Sequence, residues 1–326
     1  MLAKLTCTPL VLVQRALLAC LMIGCSRSGR IDELTVVQLG YQKWGTLSLL
    51  KHRGTLEMRL APEGIGVEWT EFPTGPALLE ALNARSIHFG HTGDSPPIFA
   101  QAADISFSYL GASLPSASSE AIVVLKESPI RKLADLRGKR IGFAKGSSSH
   151  TLVMRALPSA GLTLADIEPV YLKPADARAA LEGKSIDAWV IWDPYLAAIE
   201  YPGTARVLLD GKGLVSGREF YLGAADFVRD CPGVVGAILE ELGTAMEWAQ
   251  SHPRQIAELL APEIGMDVGA LEIAERRRGR YQREKSLKPI ITEQQAIADS
   301  FFKNGLIPRR IEVEKAVPPE YLRAIP

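Results

Sequence analysis

The chain is 326 residues long and 47% hydrophobic, with 37 Lys and Arg balanced by 37 Asp and Glu. That length buries a sizeable core, as one large domain or two lobes, and excludes a disordered tail protein. The balanced charge gives no summed field toward a nucleic-acid backbone or an anionic membrane face, so an anionic ligand has to be recognised by local dipoles or a few well-placed groups.

Residues 1–25, MLAKLTCTPLVLVQRALLACLMIGC, read as an export signal. Lys4 and Arg15 make a basic front, and ALLACLMIG is a compact apolar stretch too short and interrupted for a stop-transfer helix. Its end, LMIGC, is similar to the lipobox of bacterial lipoproteins, in which cleavage before Cys25 leaves a lipidated thiol; ordinary signal-peptidase cleavage a few residues further on is the alternative. Cys7, Cys20 and Cys25 all fall in this leader, so the mature body keeps only Cys231 and builds neither an intrachain disulfide nor a cysteine zinc site. Cys231 is expected to be a buried or neutral residue.

From Leu34 onward, apolar runs, turns carrying Gly or Pro, and amphipathic stretches follow one another. TVVQLGYQ is strand then turn, WGTLSLLKHRG helix, GVEWTEF strand and GPALLEALNAR helix; IHFGHTGDSPPIFAQAAD repeats strand, turn and helix before the strand ISFSYLGAS. Such alternation predicts an α/β fold with a largely parallel sheet. The segment 121–220 holds a second complete α/β unit, with KRIGFA and WVIWDPY among its strands. The expected division is one lobe from 31–120 and 221–326, and a second lobe from 121–220. From Tyr221 the chain reads as mainly helical, through CPGVVGAILEELGTAMEWAQSHP, which ends at Pro253, and three later helices. The cluster ERRRGR, holding Arg276 to Arg280, reads as a solvated helix end.

Three strand-end turns carry candidate chemistry. In KGSSSH, Gly146 permits a tight turn and Ser147 or Ser148 is a preferred N-cap for the helix SHTLVMRAL. Helix-start N–H groups, the helix dipole and serine hydroxyls together bind oxyanions without any cationic residue. The run HTGDSPP, with Thr92, Gly93, Asp94 and Ser95 ahead of a proline-bearing first turn, has the same form, and simple capping by Asp94 or Ser95 is its bland counterpart. Gln42 follows the first strand, and Trp192 and Asp193 close WVIWDPY. In open α/β sheets ligands sit at the carboxyl ends of strands, so three such turns aimed at one crevice make a site. Trp192 is either a cover for an organic group or core, and Asp193 before Pro194 either lines the site or starts a turn.

Catalysis by Ser149 and His150 is disfavoured, because adjacent helical residues diverge by about a hundred degrees and no G-x-S-x-G elbow occurs. No P-loop, G-x-G-x-x-G fingerprint or metal-ligand motif appears, so neither a metal nor a cofactor is expected.

The blocks GYQKWGTLSLLK, EFPTGPALLEALN, HTGDSPPIFAQAA, SPIRKLADLRGKRIGFAKGSSSH, LKPADARAALEGKSIDAWVIWDPY and FFKNGLIPRRIEV resemble the periplasmic aliphatic sulfonate-binding proteins of ABC importers, within the nitrate, taurine and sulfonate group. The resemblance implies a type II periplasmic binding protein: two α/β lobes joined by a two-stranded hinge, closing on a ligand. It implies a non-catalytic, monomeric receptor without cofactor whose partners are a small organosulfonate, an ABC permease and its ATPase. No nucleic acid is implied, and membrane contact only through a lipid at Cys25. Carried onto this chain, it implies cleft positions at Gln42, at Thr92, Gly93, Asp94 and Ser95, at Gly146, Ser147, Ser148, Ser149 and His150, and at Trp192 and Asp193. Ser147 and Ser148 would hold sulfonate oxygens and Trp192 would pack on the organic part, with the His150 ring either facing the ligand or packing beneath the turn. Glu120, at the lobe crossing, either meets an amino group of a zwitterionic sulfonate or is a surface or hinge carboxylate. Pro158 departs from the family pattern and should bend its helix or end it early, while Ser95 adds a hydroxyl where many relatives are apolar. Taurine, nitrate and a thiamine pyrimidine precursor stand as alternative ligands, and a pyrimidine-precursor enzyme of the same fold as the competing class; an export leader and one mature cysteine oppose the enzyme.

Overall fold

A strand with apolar residues on both faces needs cover on both, and helices that follow each strand supply it. In the computed structural model, which describes residues 34–284 and 286–322, the chain forms two five-stranded sheets. The leader, its lipobox and Cys25 lie outside the described residues.

The first sheet begins with β1 (Val36–Tyr41), followed by α1 (Thr46–Arg53) and α2 (Thr55–Leu60). β2 (Gly66–Glu71), α3 (Gly75–Asn83), β3 (Phe89–Thr92), α4 (Ser95–Ala102) and β4 (Phe107–Ala112) continue the alternation. The chain then builds the second sheet from β5 (Glu120–Leu125), β6 (Arg140–Phe143), β7 (Glu168–Tyr171), β8 (Ala188–Trp192) and β9 (Ala205–Asp210). Helices α5 (Ser148–Ala156), α6 (Pro174–Glu182) and α7 (Tyr195–Glu200) connect them. As Pro158 predicts, α5 stops at Ala156 and the chain tightens into a 3-10 turn over Leu157–Ala160.

The return to the first sheet adds a strand to the mainly helical end expected from Tyr221. β10 (Phe220–Ala224) inserts between β3 and β4, antiparallel to both, giving the order β2-β1-β3-β10-β4. Its five residues, FYLGA, are all buried, so the run has no polar alternation to mark it as a strand. In the second sheet, ordered β7-β6-β8-β5-β9, β5 likewise runs antiparallel to β8 and β9. The remaining strand pairs, β1 with β2 and β3, and β6 with β7 and β8, are parallel. Helices α8 (Ala225–Asp230), α9 (Pro232–Ser251), α10 (Pro253–Ile264), α11 (Val268–Arg278) and α12 (Lys288–Lys303) complete the chain. Pro253 opens α10 rather than closing α9, which ends at Ser251.

One large apolar cluster joins the first sheet to the C-terminal helices, with Leu39, Phe89 and Leu222 fully buried. The second sheet is covered on both faces, by a cluster around Ile122, Phe143 and Leu152 and another around Val123, Trp189 and Ile191. Each buried side chain of this kind contributes on the order of 1.5–3 kcal/mol. Cys231 is buried, and desolvation with the Asp230 charge pushes its thiol pKa up.

The chain crosses between the sheets twice, over 113–119 and 211–219, and the crossings run side by side: the Ser113 N–H donates to the Glu219 carbonyl and the Ser116 N–H to the Ser216 carbonyl, both at 2.8 Å. β5 opens at Glu120 and β10 at Phe220, each one residue before the expected lobe boundary. Antiparallel insertion has a functional consequence. β5 and β10 present their starting ends at the edge where the parallel strands finish, in register Glu120 with Trp192 and Phe220 with Thr92. Glu120 and Glu219 are thereby delivered to the place where a ligand is expected.

Candidate ligand-binding site

A cavity of about 90 Å³ opens between the strand ends of the two sheets. From the first sheet its wall includes Gln42, Thr92 and Gly93; from the second, Glu120, Ser147, Ser148, Trp192 and Asp193. The remaining expected residues, Asp94, Ser95, Gly146, Ser149 and His150, do not line it.

The serine turn is built by Gly146, whose φ of 75° is the left-handed conformation that glycine adopts without strain. Ser147 is the N-cap residue of α5, but its hydroxyl donates back to the Ala144 carbonyl at 2.7 Å instead of capping the helix. The N–H groups of Ser147 and His150 are satisfied locally, by the Ala144 and Ser147 carbonyls. The N–H groups of Ser148 and Ser149, in the first turn, have no intrahelical acceptor and remain for a ligand. Opposite them, the Gly93 turn packs so closely that a Cβ there would lie 3.1 Å from Ser148 Cβ. The Gln42 side-chain amide donates to the His91 carbonyl at 3.3 Å, which holds it at the cleft mouth.

His150 is fully buried beneath the turn, its Nδ1 accepting from the Gly146 N–H at 3.3 Å and its ring stacked 6.1 Å from Phe99 and tilted 5.2 Å from Phe143. Burial, and secondarily the Lys145 charge, lower its pKa to about 4, so it is neutral near pH 7. Ser149 is fully buried too, with an unpartnered hydroxyl. Ser95 donates to Asp94 Oδ1 at 2.9 Å and bonds Thr151 of α5, tying the first sheet's turn to the second sheet's helix; no side-chain bond caps α4.

Glu120 is only 4% exposed and its Oε2 has no partner. Desolvation first, then the neighbouring Asp94 charge, raise its pKa, against a hydrogen bond from Ser148. Asp94 is raised as well, again chiefly by burial. Asp193 is buried, accepts from the Ala197 N–H at 3.0 Å and pairs with Arg277 at 3.1 Å; desolvation outweighs both and pushes its pKa up to about 7. Trp192 stands edge-on to Tyr195 with ring centroids 6.4 Å apart.

The basic cluster is not a solvated helix end. Arg276 is exposed, but Arg277 reaches Asp193 and Glu200, and Arg278 is 7% exposed and lines the cavity. Arg278 lies over Trp44 at 3.6 Å, bonds Glu219 at 2.8 Å, and has Nε and Nη2 without partners. Burial alone would lower the Arg278 pKa, yet Tyr281, Glu219 and Glu275 hold it above its ordinary value. Burial likewise would raise Glu219, but Arg278 and His91 bring it down to about 2. The cleft therefore contains a buried guanidinium as well as helix-start donors, contrary to an anion site free of cations. Arg278 and Glu219 were missed because their partnership spans 59 residues; the basic end of α11 running into aromatic Tyr281 is the only local trace of it.

Comparison with known proteins agrees with this architecture. The family profile described as NMT1/THI5 like matches residues 61–256. A putative aliphatic sulfonates-binding protein of Escherichia coli (strain K12) is 40% identical over 286 residues, 86% of this chain and 88% of the relative. A protein of the same description from Bacillus subtilis (strain 168) is 31% identical over 313 residues, 93% of this chain and 92% of the relative. Among solved structures, the alkanesulfonate-binding protein SsuA from Xanthomonas axonopodis pv. citri, bound to MOPS, superposes with a TM-score of 0.83 at 38% identity, covering 87% of this chain and 98% of that one.

Proposed function

The chain belongs to the NMT1/THI5-like family, on its branch of aliphatic sulfonate-binding proteins, and from that premise we propose that it captures aliphatic sulfonates and hands them to an ABC permease with its ATPase. It works as a monomeric extracytoplasmic receptor, free in the periplasm or held by a lipid at Cys25. The observation that carries the reading is the cavity where the Gln42 and Thr92-Gly93 turns of one sheet face the Ser147-Ser148 turn of the other.

A sulfonate presents three acceptor oxygens and no donor. The hydroxyl of Ser148, the free N–H groups at the start of α5 and the unpartnered Nη2 of Arg278 offer donors of the matching kind. Each charge-assisted hydrogen bond of this sort contributes roughly 1.5–3 kcal/mol. Trp192 covers the organic part, and its half-buried ring accepts chains of different length by contact alone. The paired crossings at 113–119 and 211–219 act as the hinge, and the bond between Ser95 and Thr151 and the pairs from Arg277 to Asp193 and Glu200 hold the two sheets together around the ligand. Closure removes water from the anion and strengthens each bond to it. The serine turn is not arranged as a nucleophile with its base, since the Ser147 hydroxyl donates to the Ala144 carbonyl and His150 is buried beneath the turn.

A thermal-shift panel on the full chain tests the reading, with alkanesulfonates, taurine, sulfate, nitrate and a thiamine pyrimidine. An alkanesulfonate at about a hundred times its dissociation constant stabilises by about 2.7 kcal/mol. Stabilisation by the pyrimidine alone would overturn it.

A further inference from the structure

Glu120 is an anomaly in a site that takes anions. Its carboxyl is almost fully buried, forms part of the cavity wall and leaves Oε2 without a partner. The groups that face it are few. From the turn before α4 comes Asp94, itself 1% exposed with Oδ2 unpartnered; from α5 comes Ser148. Across the β5–β8 pair stands Trp192, and beside it Asp193, whose charge is already met by Arg277. Asp94 is in turn faced by Ser95 and, at longer range, by Arg155 of α5 and Glu293 of α12. Arg278 of α11 lines the same cavity and is paired with Glu219, but no cation is among the groups acting on Glu120 itself.

Of two adjacent buried carboxyls, with only the distant Arg155 acting on Asp94 and no cation acting on Glu120, at least one keeps its proton. A sulfonate is acceptor-only and fully ionised at any ordinary pH, so an ionised Glu120 beside it repels it, whereas a protonated one offers an O–H donor from a dry wall. We propose that Glu120 works as a carboxylic acid, donating its O–H to an oxygen of the bound sulfonate, so that capture of the anion is linked to one proton held in the cleft. The inference rests on the sulfonate reading and adds to it the protonation state in which the receptor binds. It also sets specificity: the same wall, once deprotonated, favours ligands that bring a donor of their own. Burial and the Asp94 charge both raise the Glu120 pKa, which keeps the acid form present at neutral pH.

Titration calorimetry of butane-1-sulfonate against the full chain, from about pH 6 to about pH 10, tests this. The wild type is expected to bind with constant affinity near neutrality and then to weaken tenfold per pH unit above the Glu120 pKa. Glu120→Gln, whose amide carries a donor that does not titrate, is expected to lose the pH dependence whatever its affinity at neutral pH. In the wild type alone, at the pH where the fall is half complete, binding enthalpies in buffers of different ionisation enthalpy should report uptake of about half a proton. A flat wild-type profile, or no proton uptake, overturns the proposal. So does a 2-aminoethanesulfonate affinity that strengthens with pH through the same range, which would make Glu120 an ionised acceptor for the ammonium. Failure of butane-1-sulfonate to bind the wild type at every pH would instead refute the sulfonate reading.

Discussion

The pair of Arg278 and Glu219 should be the most costly polar contact in the cleft to break. Replacing Glu219 by Gln keeps the shape and the capacity to accept from the Thr46 N–H and hydroxyl, which Glu219 now meets at 3.3 and 3.1 Å, but removes the carboxylate in direct contact with the buried guanidinium of Arg278. Glu219 falls from an ordinary 4.5 to about 2 in the folded chain. At about 1.4 kcal/mol per unit, that difference corresponds to roughly 3 kcal/mol at pH 7, in line with the roughly 3–5 kcal/mol cost of removing one partner from a buried pair. The sign follows from the depressed value. The contribution is complete above the unfolded carboxylate range and is lost as pH falls toward the folded one. Urea unfolding of wild type and Glu219→Gln at neutral pH and near pH 3 should therefore show a gap of about 3 kcal/mol that closes by about half or a little more. A gap below about 1 kcal/mol at pH 7, or one that does not narrow on acidification, would refute the reasoning.

Three further outcomes follow from the same contacts. Trp192→Ala removes the indole that lines the cavity, so affinity should fall by about 1.5 kcal/mol or more for a long-chain alkanesulfonate and by less for methanesulfonate; equal losses in calorimetry would place the organic part elsewhere. Asp94→Asn removes the like charge beside Glu120, so the alkaline fall in sulfonate affinity should begin at lower pH, and an unchanged onset would remove Asp94 from the account. Leu39→Ala, at a fully buried position in β1, should cost about 2–5 kcal/mol in chemical unfolding while leaving ligand affinity unchanged in the folded protein.

What was legible in the sequence was local. Gly146, the serines after it, and the Thr92-Gly93 turn announce strand ends by their own conformational needs, and the structure brings Gln42, Gly93, Ser147, Ser148 and Trp192 to one cavity. Alternation of strands and helices was enough for the α/β class, and Pro158 for the early end of α5. What escaped depends on distant parts of the chain. β10 is five buried residues set between two strands that precede it by more than a hundred positions, and no period in FYLGA distinguishes a central strand from a turn of buried helix. Without β10 there was no reason to place Glu219 at the cleft, and without Glu219 the Arg278 side chain had no cause to be buried. For His150 the sequence left two places open, facing the ligand or beneath the turn, and Phe99, Phe143 and Phe301, drawn from three separate regions, pack around it beneath the turn.

The most direct measurement is the affinity of butane-1-sulfonate for wild type and for Ser148→Ala, with unfolding curves to establish that both are folded; Ser147 is left in place because its hydroxyl is held by the Ala144 carbonyl. Capture at the serine turn predicts a loss of roughly 1.5–3 kcal/mol on removing the Ser148 donor, about tenfold or more in affinity, with little change in stability. Equal affinity in the two proteins would contradict it and move the anion to another wall of the cleft.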